Sequence, residues 1–295
     1  MTTNGVNANP PTESLLITFD LDDTIFPIKP AVEEANVAQL RAMKQLAGYP
    51  ETTMEQCMVQ TRAIRQTLTQ PITYTDLRKG AIRAELERIH GNNDDVAQQV
   101  VEQCFDAWLQ ERHASAERHL FPETIPALQE LQSTLGQKYN LCMAGITNGR
   151  GNPLCMPSTE PFFQFCVSGE DANVFPHRKP HPNIYKAALE QWQQLVEEAM
   201  PTVWIHVGDC LANDVGASSD VGAKAIWVAP SEEPEDGEQP SWSTATAKDL
   251  KERAKLMEAA RSKMSGKVTN LSQLTTVVQD IVSKELAAAE TVLNS

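Results

Sequence analysis

The 295-residue chain has no apolar run approaching the ~18 residues that a membrane-spanning helix needs, so no such helix is expected. The first 13 residues hold no Lys, no Arg and no apolar segment, which argues against a secretory signal and an Arg-rich transit peptide. The six cysteines (Cys57, Cys104, Cys142, Cys155, Cys166, Cys210) show no CxxC spacing. Neither a zinc site nor a disulfide framework is expected; they read as small core residues of a reducing compartment, with a cytoplasmic location. Positive charge is scarce: 25 Lys and Arg stand against 39 Asp and Glu, a net charge of −14. Such a surface repels phosphate backbones and anionic lipid, so neither nucleic acid nor a membrane is an expected partner. A small anionic substrate stays open, because a local group of cations overrides the global field.

What is present is ordinary for a globular chain: 41% hydrophobic and 22% charged residues. Residues 1–13, rich in Asn, Pro and Thr, read as a disordered lead-in. Leu15, Leu16, Ile17 and Phe19 form an apolar, strand-like run. It stops on Asp20, Asp22 and Asp23, with Thr24 between them and the next apolar pair. Carboxylates crowded at a strand end repel one another and require a cation or a proton. Mg²⁺, a hard ion that takes carboxylate and phosphate oxygens, suits them.

Residues 31–118 lack a strand signal. Leu40, Met43, Leu46, then Leu77, Ile82, Leu86, Ile89, then Val100, Val101, Cys104, Phe105 and Trp108 recur at helical spacing. This predicts an inserted helical unit whose stripes are core packing. The α/β rhythm then returns: a helix over 124–135, strands over 140–146, 165–168, 203–207 and 223–228, and a helix over 183–199. An acidic, Pro-containing insert and a helix occupy 231–266. A sheet-edge segment over 268–274 and a final helix over 274–294 follow. Residues 14–30 and 119–295 together predict an α/β fold: a Rossmann-like parallel sheet with helices on both faces.

Four groups fall at carboxyl ends of predicted strands: Asp20-x-Asp22-x-Thr24; Thr147-Asn148; Lys179 in Arg-Lys-Pro; and Asp209 with Asp214. In this order they resemble the haloacid dehalogenase superfamily of Asp-based phosphohydrolases, over about residues 14–229. The resemblance implies a magnesium-dependent hydrolase with a helical cap over 31–118. Asp20 would be the nucleophile, forming an aspartyl-phosphate. Asp22 would protonate the leaving alkoxide and then deprotonate water. Thr147, Asn148 and Lys179 would hold phosphoryl oxygens. Asp20, the Asp22 backbone carbonyl and Asp209 would hold Mg²⁺, with Asp214 and Thr24 supporting them. Asp22 favours ester hydrolysis, since a halide leaves without a proton.

Residues 17–24, 146–149, 205–209, 213–217 and 227–230 are further similar to flavin mononucleotide phosphatases. They are also similar to the related phosphatase of riboflavin biosynthesis, which acts on 5-amino-6-(5-phospho-D-ribitylamino)uracil. The expected partner is thus a small phosphorylated metabolite, and the chain is expected to be a monomer or homodimer. Tyr74 and Arg78, from the 71–80 segment, are the candidate contacts to the leaving group, Tyr74 by stacking on a ring. Pyrimidine nucleotides and sugar phosphates are alternative substrates. A non-enzymatic binding protein that kept the fold is the alternative of another class, although no catalytic motif is missing. His206 reads as a hydrogen-bonded core histidine and Asp23 as a turn or capping residue.

Overall fold

The first strand, β1 (Ser14–Phe19), is buried along its whole length. Its apolar residues divide by parity, as a strand covered on both faces requires. Leu15, Ile17 and Phe19 pack into one hydrophobic cluster and Leu16 into another. In this computed structural model, residues 13–46, 51–90, 94–197, 200–229 and 247–293 are described. The expected lead-in, apart from Glu13, and the acidic insert over 231–246 lie outside them.

Four helices follow β1: α1 (Ile28–Leu46), α2 (Met54–Thr67), α3 (Tyr74–His90) and α4 (Asp94–Arg118). They form a core of their own from Ala35, Met43, Cys57, Ile82, Leu86, Val101, Cys104, Phe105 and Trp108, to which no strand contributes. Met43, Ile82, Leu86, Val101, Cys104, Phe105 and Trp108 of the predicted stripes fill it, whereas Leu46 and Ile89, expected in the packing, are exposed at the helix ends. Thr53 starts α2 with a reciprocal cap: its hydroxyl accepts from Gln56 N and its N–H donates to Gln56 Oε1.

The chain then alternates through α5 (Thr124–Leu135), β2 (Asn140–Thr147), β3 (Phe165–Ser168), α6 (Pro182–Val196) and β4 (Val203–Gly208). A π-helical turn (Leu211–Gly216) leads into the short α7 (Ala217–Ser219), and β5 (Lys224–Val228), α8 (Ala247–Ala260), β6 (Met264–Val268) and α9 (Leu274–Leu293) complete it. The six strands pair in the order β3-β2-β1-β4-β5-β6, every pair parallel. Helices α5 and α9 pack on one face with Leu15, Ile17 and Phe19, and α6 and α7 on the other with Leu16.

Two expectations need correction. The edge segment expected over 268–274 is β6, which ends where that window begins. Its residues alternate between exposed and half-buried up to Val268, so no continuous apolar run marks it. The helix expected to reach 199 stops at Val196. There Glu197 turns into the left-handed region (φ 58°) and donates its N–H to Gln193 O.

The strand order fixes where ligands meet the sheet. From β1 the chain winds outward to β3, then returns to lay β4 on the other side of β1. The crevice at this reversal, outside the carboxyl ends of β1 and β4, is the place such sheets use for binding.

Candidate active site

Asp20 directly follows β1 and Asp209 directly follows β4, so the reversal brings them together. The Asp20 N–H donates to Val207 O at 2.8 Å, extending the β1–β4 ladder to the site. Thr24 ties the two ends: its hydroxyl donates to Asp20 Oδ2 at 3.1 Å and accepts from Asp209 N at 3.1 Å. Asp23 takes no part in this. It turns the chain with φ 62° and caps α1 by accepting from Ile28 N at 2.9 Å.

Lys179 lies between carboxylates. Its Nζ donates to Asp20 Oδ1, to Asp214 Oδ1 at 2.8 Å and to Ile146 O at 2.9 Å. Asn148 holds the backbone of Lys179 on both sides, accepting from its N–H at 2.7 Å and donating to its carbonyl at 3.0 Å. Thr147, at the end of β2, accepts from Gly149 N at 3.3 Å. Asp214 also accepts from Cys210 N at 3.0 Å. Gly208 lets Asp214 in: a Cβ there would lie 2.4 Å from Asp214 Cγ. Behind Asp214 stand His206, whose Nε2 is 3.4 Å from Asp214 Oδ1, and Thr18, 2.9 Å from His206 Nδ1. His206 is thus a hydrogen-bonded core histidine, as expected, yet it touches the site.

Burial and charge set the protonation here. Burial, then the neighbouring Asp214 and Asp22, push Asp20 up to about 7 against the pull of Lys179. Burial and the other carboxylates likewise raise Asp209. Burial alone would raise Asp214, but Lys179 and His206 bring it down to about 2. Burial works against the Lys179 ammonium, yet Asp20 and Asp214 hold its pKa well above the ordinary value. The Asp20, Asp209 and Asp214 carboxylates each offer an oxygen within 4.8 Å of the others. One ammonium does not neutralise three crowded carboxylates, two of them buried, and an all-oxygen donor set of this charge fits a hard divalent cation.

Asp22 points elsewhere. Its Oδ1 accepts from Arg112 Nη2 at 2.6 Å, an ion pair from α4 that the sequence reading missed. The one available signal was the four-residue spacing that puts Arg112 on the Trp108 face of α4. Other contacts join the helical unit to the sheet unit. Glu170 accepts from Thr75 N at 3.3 Å and from its hydroxyl at 2.5 Å; Arg178 donates to Ile72 O at 3.0 Å. Tyr74, placed by sequence as a stacking partner for substrate, carries the Arg178 guanidinium 4.1 Å from its ring centroid. Arg78 bonds within the helical unit, to Asn36 and Gln39.

Comparison with known proteins agrees with this architecture. The family model described as haloacid dehalogenase-like hydrolase matches residues 15–222. The 5-amino-6-(5-phospho-D-ribitylamino)uracil phosphatase YigB of Escherichia coli is 25% identical over 225 residues, covering 72% of this chain and 83% of that protein. The glyceraldehyde 3-phosphate phosphatase of Methanopyrus kandleri is 24% identical over 233 residues, 72% of this chain and 82% of its own. Among solved structures, a 2-haloacid dehalogenase from Pseudomonas syringae superposes with a TM-score of 0.65. It is 24% identical and covers 90% of this chain and 99% of its own, a likeness of fold. Among the described residues no helix is long and apolar enough to cross a membrane.

Proposed function

The chain belongs to the haloacid dehalogenase-like hydrolases, and on that premise we propose that it is a magnesium-dependent phosphomonoester hydrolase of small metabolites. The observation that carries this reading is Lys179 lodged between Asp20 and Asp214, with Asp209 alongside, at the strand-order reversal. A carboxylate at Asp20 attacks phosphorus, the ester P–O bond breaks, and the phosphoryl group rests on Asp20 as an acyl phosphate. Asp22 gives its proton to the departing alkoxide. It then takes one from the water that attacks phosphorus, which frees Asp20 and inorganic phosphate. Lys179, with Thr147 and Asn148 at the end of β2, neutralises and positions the phosphoryl oxygens. Asp20, the Asp22 carbonyl and Asp209 would hold Mg²⁺, with Asp214 joining them or orienting Lys179. The ion supplies charge neutralisation and orientation of the phosphate. Thr24 keeps Asp20 and the 209 loop in register.

In this reading residues 31–118 act as a cap that closes over the substrate and excludes water. The names of the two relatives motivate the first substrates to try: riboflavin-pathway phosphates, flavin mononucleotide included, and triose phosphates. Pyrimidine nucleotides and other sugar phosphates follow. Phosphate release from this panel, with Mg²⁺ and with EDTA, tests the reading. Turnover that needs Mg²⁺ and vanishes in Asp20→Asn is the expected result; equal turnover in EDTA would refute it.

A further inference from the structure

Of two guanidinium groups in the helical unit, Arg112 holds a single carboxylate and Arg78 bonds only neutral oxygens. Arg112 is 3% exposed; its Nη2 donates to one oxygen of Asp22, while its Nη1 is buried without a partner. One turn earlier on α4, the Trp108 ring carries the Arg78 guanidinium at 4.0 Å. Arg78 bonds to neutral oxygens only, Asn36 Oδ1 at 3.0 Å and Gln39 Oε1 at 2.8 Å. Asn36 Oδ1 also accepts from Trp108 Nε1 at 3.1 Å, so α1, α3 and α4 meet in one polar cluster. Burial, with the like charge of Arg112 adding to it, brings Arg78 down to about 10.

Buried charges come paired, because an uncompensated one forfeits its hydration. Here the buried Arg112 has one counter-ion, Asp22, beside the proposed nucleophile, and the half-buried Arg78 has no carboxylate partner among the described residues. The Nη edge of Arg112 is built for two oxygens and holds one. We propose that Arg112 and Arg78 form a subsite for a second oxyanion on the leaving group, so that the substrate is a phosphomonoester also bearing a carboxylate or another phosphate. This rests on the phosphatase reading and narrows it. The oxyanion takes the free Nη1 of Arg112, and Asp22 keeps its Nη2 contact through Oδ1, leaving Oδ2 for the proton it gives the leaving group. A neutral leaving group leaves that Nη1 unsatisfied and binds more weakly.

The test compares matched esters with Mg²⁺ present: 3-phosphoglycerate against glycerol 3-phosphate, and fructose 1,6-bisphosphate against fructose 6-phosphate, with p-nitrophenyl phosphate as a generic ester. The expected result is a kcat/KM higher by about tenfold or more for at least one anionic member, the pair showing whether carboxylate or phosphate is read. That ratio falls towards unity in Arg112→Gln and Arg78→Met and is partly kept in Arg112→Lys and Arg78→Lys. A structural role alone would lower both members equally. Equal turnover of both pairs by the wild type, while p-nitrophenyl phosphate is cleaved, overturns the subsite. If no ester is cleaved, the phosphatase reading fails. Titration calorimetry with the same pairs then judges the subsite separately: tighter binding of an anionic member, lost in Arg112→Gln, supports it, and equal binding overturns it.

Discussion

The sheet unit and the helical unit position their polar residues by different means. At the sheet, largely buried strands end on Asp20, Thr147 and Asp209, so backbone hydrogen bonding carries each side chain to its place. In the helical unit, Arg78 and Arg112 sit on helix faces whose other residues are packing, and tertiary neighbours alone decide where their charges go. Strand ends therefore specify chemistry locally, whereas helix faces specify it only after folding.

The largest expected effect breaks the sheet side alone. Asp20→Asn should lower turnover by at least about 10³-fold with an unchanged far-ultraviolet circular dichroism spectrum; residual activity near wild type would remove Asp20 as nucleophile. Next comes Gly208→Ala, whose new Cβ meets Asp214 at 2.4 Å. It should cost about 1–3 kcal/mol in urea unfolding and reduce activity together with stability.

Ile82→Ala strikes the other unit. It should cost about 2–4 kcal/mol, with hydrogen-exchange protection lost first in α1–α4 and retained in β1 and β4. Uniform loss across both units would show that they do not keep separate cores.

A pH series sharpens the same contrast. The raised pKa of Asp20 means the folded state holds a proton that the unfolded chain has released between about pH 4 and 7. Stability in EDTA should therefore decline as pH rises through that window, and Mg²⁺ should restore it near pH 8. A melting temperature indifferent to Mg²⁺ at pH 8 would count against the carboxylates as its ligands. The smallest effect is expected from Glu170→Gln, which weakens the half-buried tie to Thr75 by about 1 kcal/mol or less; its signature is a raised KM.

Much of the sheet unit was legible in advance. Residues 124–135 and 165–168 matched their elements to the residue, and β1, β2, β4 and β5 could be read from apolar runs, those of β1 and β4 closed by Asp20 and Gly208-Asp209. β6 could not, because an edge strand with Gly266 at its centre carries almost no apolar signal. The helical unit was legible as helices and as core. Its polar contacts were not: nothing in the spacing of Arg112 names Asp22, ninety residues away in sequence, as its partner. Nor does it place Arg178 over the ring of Tyr74.

Reductive trapping on Asp20 bears most directly on the central claim. Enzyme turning over p-nitrophenyl phosphate is quenched with borohydride, and the peptide containing residue 20 is sequenced by mass spectrometry. Conversion of Asp20 to homoserine, dependent on substrate, is the predicted result. Phosphate release at full rate with Asp20 never modified would contradict the account.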